Sequence, residues 1–184
     1  MKNKRLFILS FIIFFFFSGR FLLTYAQEAS SAAQSPLPTP INYQLPYPGM
    51  LPDNPLYFLK VIRDNLMTFF ISKPLDKAEF DLLQSDKNVQ ASYLLTQQQG
   101  KMDLALQTFS HAQSYFQDAI IQITNAKKQG YSIKVMANKI VSAHQKHMQI
   151  MHAIEQQDKK MHAQQVQNER NREESFAKLV RFLQ

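Results

Sequence analysis

Proline is missing from the C-terminal part of this 184-residue chain, since none of its eight prolines lies beyond Pro74. Proline breaks helix interiors because it lacks an amide hydrogen and clashes with the preceding turn, so its absence permits long helices. In the same region apolar side chains recur every three or four residues, which is the period of one helix face. Gly100 and Gly130 separate the periodic segments, as glycines that end helices do. The pattern predicts an all-α fold.

Four periodic segments predict a small helical bundle. The first follows Asn54 and Pro55, where Asn54 is suited to cap a helix and Pro55 to occupy its first position. The second begins in a similar way at Pro74. The predicted helices cover approximately residues 55–71, 74–99, 102–129 and 133–154. We therefore expect an antiparallel helical hairpin or bundle of about four helices, with a long C-terminal helix that continues into a polar extension.

The first 26 residues predict a signal peptide. They combine a basic start, an apolar run and a small-x-small ending before Gln27, which is the pattern that a signal peptidase recognises. The alternative is an uncleaved N-terminal membrane anchor over residues 6–25, with Arg20 reaching the outer surface. Both interpretations predict that the rest of the chain is extracytoplasmic, whether secreted, periplasmic or on the cell surface.

The segment between this leader and the helices divides into two parts. Residues 27–43 are rich in Ala, Ser, Gln and Pro, a composition that buries too little apolar area to fold, so they are predicted to form a disordered linker. The helical domain at 44–154 then opens with a Pro-rich stretch that also carries large apolar side chains. We interpret this stretch as a clasp that packs against the helices, in preference to a Pro-rich ligand for another protein.

Charge and composition exclude several classes of protein. The chain has 21 basic and 14 acidic residues, but four of the basic ones lie in the predicted leader, so the exported part keeps only a small positive surplus. Such a surplus does not predict nucleic-acid binding. Cysteine is absent, which excludes disulfides and thiolate metal sites. No glycine-rich phosphate loop or Ser-His-acid arrangement occurs, so we predict neither an enzyme nor a cofactor.

Histidine and methionine cluster on the predicted fourth helix. At about 100° per residue, His144, Met148 and His152 share one edge of this helix, and His147 and Met151 share the adjoining edge. Imidazole and thioether groups are ligands for soft metals, so a copper site in an exported protein is one hypothesis. The alternative is structural, because His147 and Met151 fall within the apolar seam, where methionine is common core filler.

An apolar patch ends the polar extension at residues 155–184. Phe176, Leu179, Val180 and Leu183 recur there at helical spacing, and the patch either docks back on the bundle or contacts a partner. The seam of the fourth helix is also longer than the first helix. We therefore predict a non-enzymatic protein-interaction or structural module of the cell envelope, which self-associates or binds an unknown envelope protein.

Two further predictions concern membrane contact and an alternative function. Membrane contact is expected only through the N-terminal segment, if that segment stays uncleaved. The alternative function is an envelope metal- or ligand-binding sensor or chaperone that uses the His/Met edge of the fourth helix.

Three short motifs resemble a known family. They are Leu-Pro-Asp-x-Pro-Leu-Tyr at 51–57, Pro-Leu-x-Lys-Ala-Glu at 74–79 and Ser-Asp-Lys at 85–87. Together they resemble the exported bacterial family "domain of unknown function 5667", over roughly residues 43–125. The resemblance implies an exported, all-helical module and supplies no catalytic residues. The chain departs from the family pattern at Asn88, where that family carries arginine.

A weaker likeness links residues 99–113 to the tetratricopeptide helical hairpin. Gly100 matches the turn of that hairpin, and Ala105, Phe109 and Ala112 match its small-large-small packing positions. No second copy follows at the period of that repeat. This likeness therefore favours a helix-turn-helix hairpin and not a repeat array.

Overall fold

The computed structural model of the chain describes residues 42–158 and 161–183, which form five helices and no strand. The all-α prediction is confirmed for these residues. The predicted signal peptide and nearly all of the predicted linker fall on residues 1–41, outside the described part of the chain. The helices are α1 (Tyr57–Phe70), α2 (Pro74–Thr96), α3 (Met102–Lys128), α4 (Lys134–Asp158) and α5 (Ala163–Arg181).

The sequence signals at the helix ends act largely as predicted. Pro74 is the first residue of α2, and Gly100 and Gly130 follow α2 and α3 with φ angles of 73° and 83°, a region that glycine enters without steric cost. The start of α1 differs from the prediction. The Oδ1 atom of Asn54 accepts a hydrogen bond of 2.9 Å from the amide of Leu56, so Asn54 caps a turn that precedes α1.

Helices α2 to α5 form an up-down four-helix bundle. Helix α4 runs in the same direction as α2, because the side chain of Lys139 contacts Glu79 near the start of α2 and that of Gln157 contacts Gln97 just beyond its end. Helices α3 and α5 run the opposite way. The bundle therefore consists of two antiparallel hairpins, α2–α3 and α4–α5, that pack with α4 beside α2 and α5 beside α3.

The predicted single long C-terminal helix is two helices in the structure. Helix α4 ends at Asp158, whose Oδ2 atom accepts a hydrogen bond of 2.9 Å from the backbone amide of His162. Helix α5 then returns antiparallel along α4, so that His144 lies beside Glu173 and Glu155 pairs with Arg170. The apolar stripe stops near Ile154 in the sequence, and a polar stretch gives no energetic reason to continue a straight helix into solvent.

The core consists of two adjoining clusters of buried side chains. Phe116 lies at the centre of the first and is fully buried. Its ring centroid lies 5.8 Å from that of His144, 5.1 Å from that of His147 and 5.3 Å from that of Phe176. The second cluster contains Val89, Leu106, Phe109, Ala112, Ile150, Met151, Ile154 and Val166.

Residues 42–56 have no helix or strand, and some of their side chains pack on the bundle. Tyr43 contacts the first core cluster and Leu45 contacts the second. Pro48 is buried, whereas Tyr47 is largely exposed. Small apolar contacts of this kind, made by a segment that prolines already restrict, hold the segment at a low cost in conformational entropy.

Substitution of the central core ring tests this account of the packing. Phe116→Ala is expected to lower the free energy of unfolding by about 4 kcal/mol, because it leaves a cavity among the side chains that Phe116 contacts. The matched control is Ile121→Ala on the same helix, which removes a side chain that is 46% exposed and should cost less than about 1 kcal/mol. Both values follow from urea unfolding monitored by circular dichroism, and equal losses would contradict the assigned core.

Candidate functional site

A buried carboxylate joins the clasp to two helices. The Oδ1 atom of Asp86, on α2, lies 2.7 Å from Nε2 of His147 on α4. Its Oδ2 atom accepts a hydrogen bond of 2.5 Å from the hydroxyl of Tyr43 in the clasp. Burial, reinforced by the negative charge of Asp86, raises the pKa of Tyr43, so the phenol keeps its proton and donates it in this bond. Asp86 and His147 are 4% and 1% exposed, which leaves no room for a substrate between them.

The neighbouring serine extends this connection to α3. Ser85 is fully buried, and its hydroxyl donates a hydrogen bond of 2.8 Å to the backbone oxygen of Ala112. Ser85 and Asp86 belong to the Ser-Asp-Lys motif noted in the sequence. The motif therefore has a structural explanation, since its first two side chains tie α2 to α3, to α4 and to the clasp.

A second polar network attaches α5. Nε2 of His144 lies 2.9 Å from the backbone oxygen and 3.2 Å from the carboxylate of Glu173, and the amide of Gln113 donates a hydrogen bond of 3.0 Å to the backbone oxygen of Glu169. Burial by itself lowers the pKa of His144, but the hydrogen bonds and the charge of Glu173 outweigh it and raise the pKa. Burial raises the pKa of Glu169. The network is thus sensitive to protonation.

The structure does not bring the five candidate metal ligands together. His144 and His147 flank Phe116, but their Nε2 atoms are directed to Glu173 and Asp86, on different helices. Within residues 42–158 and 161–183, no group of three or more His, Cys, Asp or Glu side chains is arranged to hold a metal ion. The remaining candidates are Met148, which is half-buried, Met151, which is buried in the second core cluster, and His152, which is exposed.

The C-terminal apolar patch docks back on the bundle. Phe176, Val180 and Leu183 are buried in the first core cluster. Leu179 is 44% exposed, and its neighbour Phe182 also points outward. Of the two alternatives that the sequence left open for this patch, intrachain docking is therefore the arrangement that the structure adopts for three of its four residues.

Helix α1 has an inverted orientation that the sequence did not reveal. Within α1 the buried side chain is Asp64, which is 5% exposed. Its large apolar side chains point away from the bundle, and Phe69 and Phe70 are 83% and 69% exposed. We call this surface the outward face of α1, and it consists of Phe58, Leu59, Ile62, Leu66, Phe69 and Phe70.

The inward side of α1 meets the bundle across two clefts that are lined by both polar and apolar groups. One cleft of about 320 Å³ is lined by residues that include Asp64, Asn88 and Tyr115. A second, of about 330 Å³, lies beside it and includes Tyr115 and Asp81. Burial, with a contribution from the charge of Asp118, raises the pKa of Asp81 to about 6. Helix α1 is thus seated by polar groups, among them a hydrogen bond of 3.4 Å from the hydroxyl of Tyr57 to Asn88.

The periodicity of α1 shows that the helix is amphipathic, but it does not show which side faces the bundle. One signal in the sequence favours an inward polar side, because that side carries Tyr57, Asp64 and Thr68, which line the clefts. Among the described residues, no helix is both long enough and apolar enough to cross a membrane.

Most of the described residues belong to one recognisable domain. The family described as "Domain of unknown function (DUF5667)" matches residues 49–175, which covers more than half of the chain. The chain belongs to the DUF5667 family. The match begins within the clasp and includes all of α1 to α4, so both Asp86 and the outward face of α1 lie inside the DUF5667 domain. No curated protein and no solved structure matches the chain.

The role of Asp86 can be tested by its removal. Asp86→Ala is expected to lower the free energy of unfolding by about 3 kcal/mol, because it leaves the buried groups of His147 and Tyr43 without their partner. Urea unfolding measures this loss. The matched control on the same helix is Glu79→Ala, which removes an exposed ion pair with Lys139 and should cost less than about 1 kcal/mol. A similar effect of the two substitutions would show that Asp86 does not hold the clasp and α4 together.

The pKa shifts predict how stability depends on pH. The pKa of His144 is raised above its ordinary value of 6.5, so its stabilising effect is present below pH 6.5 and is lost as pH rises through the raised value. Asp81 changes the stability in the same direction at lower pH. Its pKa is raised from 3.8 to about 6, so the folded state binds that proton more tightly than the unfolded state does. We therefore expect the urea midpoint to decrease as pH rises from 4 to above 6.5.

Substitution of single histidines separates these contributions. His144→Gln should flatten the part of the dependence that lies above pH 6.5. The pKa of His162 is also raised, chiefly by its hydrogen bond to Asp158, so some dependence should remain. His152→Gln is the control, because its side chain is 57% exposed. A midpoint that increases with pH over this range would contradict the assignment.

Proposed function

We propose that this protein is a non-enzymatic interaction module of the cell envelope that attaches to its target through the outward face of α1. The observation that carries the proposal is the inverted seating of this helix, with Asp64 buried and the phenylalanines in solvent. A folded protein gains free energy by removing apolar area from water. A helix that exposes this area while it seats its polar side on the bundle is suited to bury the apolar side in an external contact.

The size of the outward face supports this proposal. Phe58, Phe69 and Phe70 are 54%, 83% and 69% exposed. With about 200 Å² for each side chain, these three rings alone leave about 400 Å² in water. That area already equals a typical largest apolar patch of a monomeric protein, and Leu59, Ile62 and Leu66 enlarge it. Scattered apolar side chains on a surface need no explanation, but an apolar patch larger than this typical size is evidence for an interaction site.

The non-enzymatic part of the proposal is supported by the pairing of the acid and base groups. His147 is enclosed with Asp86, and His144 is enclosed with Glu173. Groups that are buried and already paired are not accessible to a substrate. The same pairing gives the alternative metal-sensing function less support, because binding a metal at these imidazoles would break both contacts. The envelope location is supported by the basic and apolar leader in the sequence.

The proposal can be tested without knowledge of the target, by measuring whether an introduced cysteine is protected from chemical modification in the envelope. The chain contains no cysteine, so Ile62→Cys introduces a single thiol in the outward face, at a position that is 60% exposed. We expect a membrane-impermeant maleimide to modify this thiol in the purified protein and to react at least several-fold more slowly with it in the envelope of cells that produce the full chain.

Val135→Cys is the matched control, since Val135 is 84% exposed and lies on α4. Its thiol should react equally well in both preparations. Equal reactivity of the two thiols in the envelope would overturn docking through α1. An unreactive Val135→Cys protein in intact cells, together with full reaction after lysis, would overturn the extracytoplasmic location.

A further inference from the structure

We propose that the outward face of α1 binds a lipid surface, so that this helix lies in the plane of the membrane interface with its phenylalanine side chains among the acyl chains. This inference rests on the proposed function and names the target of the same face. It differs from the expectation drawn from the sequence, in which any membrane contact is made by the N-terminal segment alone.

The geometry of the face suits an interfacial helix. At about 100° per residue its six residues fall within an arc of about 120°. The helix has 14 residues and is therefore roughly 21 Å long. Helices that lie in the interface bury such an apolar stripe about 5–10 Å deep, at the boundary between headgroups and acyl chains. Helix α1 already presents this stripe outward, so no rearrangement of the bundle is needed.

The chemistry of the face favours lipid over a protein partner. Protein interfaces carry about one hydrogen bond per 100–200 Å² of area, and polar groups fix their register. None of the six side chains of the outward face can donate or accept a hydrogen bond. Acyl chains require no such groups, and phenylalanine and leucine are common on the lipid side of interfacial helices.

The charges around the face are complementary to anionic headgroups. The only acid in α1 is Asp64, which is buried and paired with Lys60 at 3.1 Å and with Arg63 at 2.8 Å. The side chain of Arg63 is 63% exposed, at the edge of the outward face, and the exposed Lys73 follows the end of the helix. Long basic side chains beside an apolar stripe can reach the headgroups while the stripe stays buried.

A second copy of the chain fits the face less well. Arg63 lies at the midpoint of α1. An antiparallel two-fold pairing of outward faces, centred on the helix, would therefore place two Arg63 side chains on the same edge of the interface. Each residue opposes its own copy near the axis of such a contact, and like charges placed next to each other disfavour it.

Site-specific fluorescence with vesicles tests the lipid inference on the full chain. A polarity-sensitive fluorophore is attached to Ile62→Cys, and to Val135→Cys as the control. The vesicles contain phosphatidylcholine and phosphatidylglycerol, with doxyl groups on a fraction of the acyl chains. We expect the label at position 62 to shift to the blue and to be quenched by the doxyl groups. The label at position 135 should remain in an aqueous environment, even if the leader also holds the protein on the vesicle.

A charged substitution in the outward face of α1 should weaken the association of the protein with vesicles. Phe69→Asp, introduced into the labelled Ile62→Cys protein, is expected to weaken vesicle association of the label roughly tenfold or more, which corresponds to the loss of one buried phenylalanine side chain. Phe69 is 83% exposed, so helix content by circular dichroism should not change. Val135→Asp is the control and should not affect the label at position 62.

Three outcomes would overturn the lipid inference. In the first outcome, the label at position 62 remains in an aqueous environment when vesicles are added, but the thiol at position 62 is protected in the envelope. This result would leave docking through α1 intact. The second is a label that becomes buried without lipid as protein concentration rises, which would assign the face to a second copy. The third is a label that is buried in dilute, lipid-free protein, which would assign the face to another segment of the same chain. Loss of both vesicle binding and envelope protection would overturn the proposed function as well.

Discussion

The structure depends on one buried carboxylate. Asp86 binds His147 with one oxygen and Tyr43 with the other, and so connects α2 to α4 and to the clasp. A buried, paired acid contributes little net stability, but loss of one partner is costly because the others remain desolvated. The contact therefore joins three parts of the chain at one buried point: α2, α4 and the segment that leads into α1.

That path explains how the chain can display an apolar helix. The clasp is held at Tyr43 and Leu45 on the core clusters, and α2 begins again at Pro74. Helix α1 is thus attached at both ends, and polar groups rather than a core seat its inward side. The four-helix bundle is complete without it, and among the described residues the outward face of α1 is exposed. The attachment that we propose through this face would join the bundle to a surface by way of α1.

The parts of the fold that follow from local chemistry could be predicted from the sequence. Pro74, Gly100 and Gly130 mark helix boundaries because proline and glycine act on the backbone of their own turn. The end of α4 at Asp158 could not be predicted in this way. The surrounding residues are polar and compatible with a helix, and the turn is fixed by a side-chain contact with His162 and by the return of α5 to the core. The seating of Phe176 has the same origin.

The sequence by itself determined that this chain is helical, where most of its helices begin and end, and that α1 is amphipathic, because these properties depend on backbone preferences and on a period of three to four residues. Only the tertiary structure decided which way each amphipathic side points. The sequence left His147 open to a metal-binding or a core role and left His144 as a candidate ligand, whereas the structure places Asp86 and Glu173 beside them. Periodicity likewise did not decide the orientation of α1, because a periodic pattern shows that a helix has two sides but not what lies against each of them.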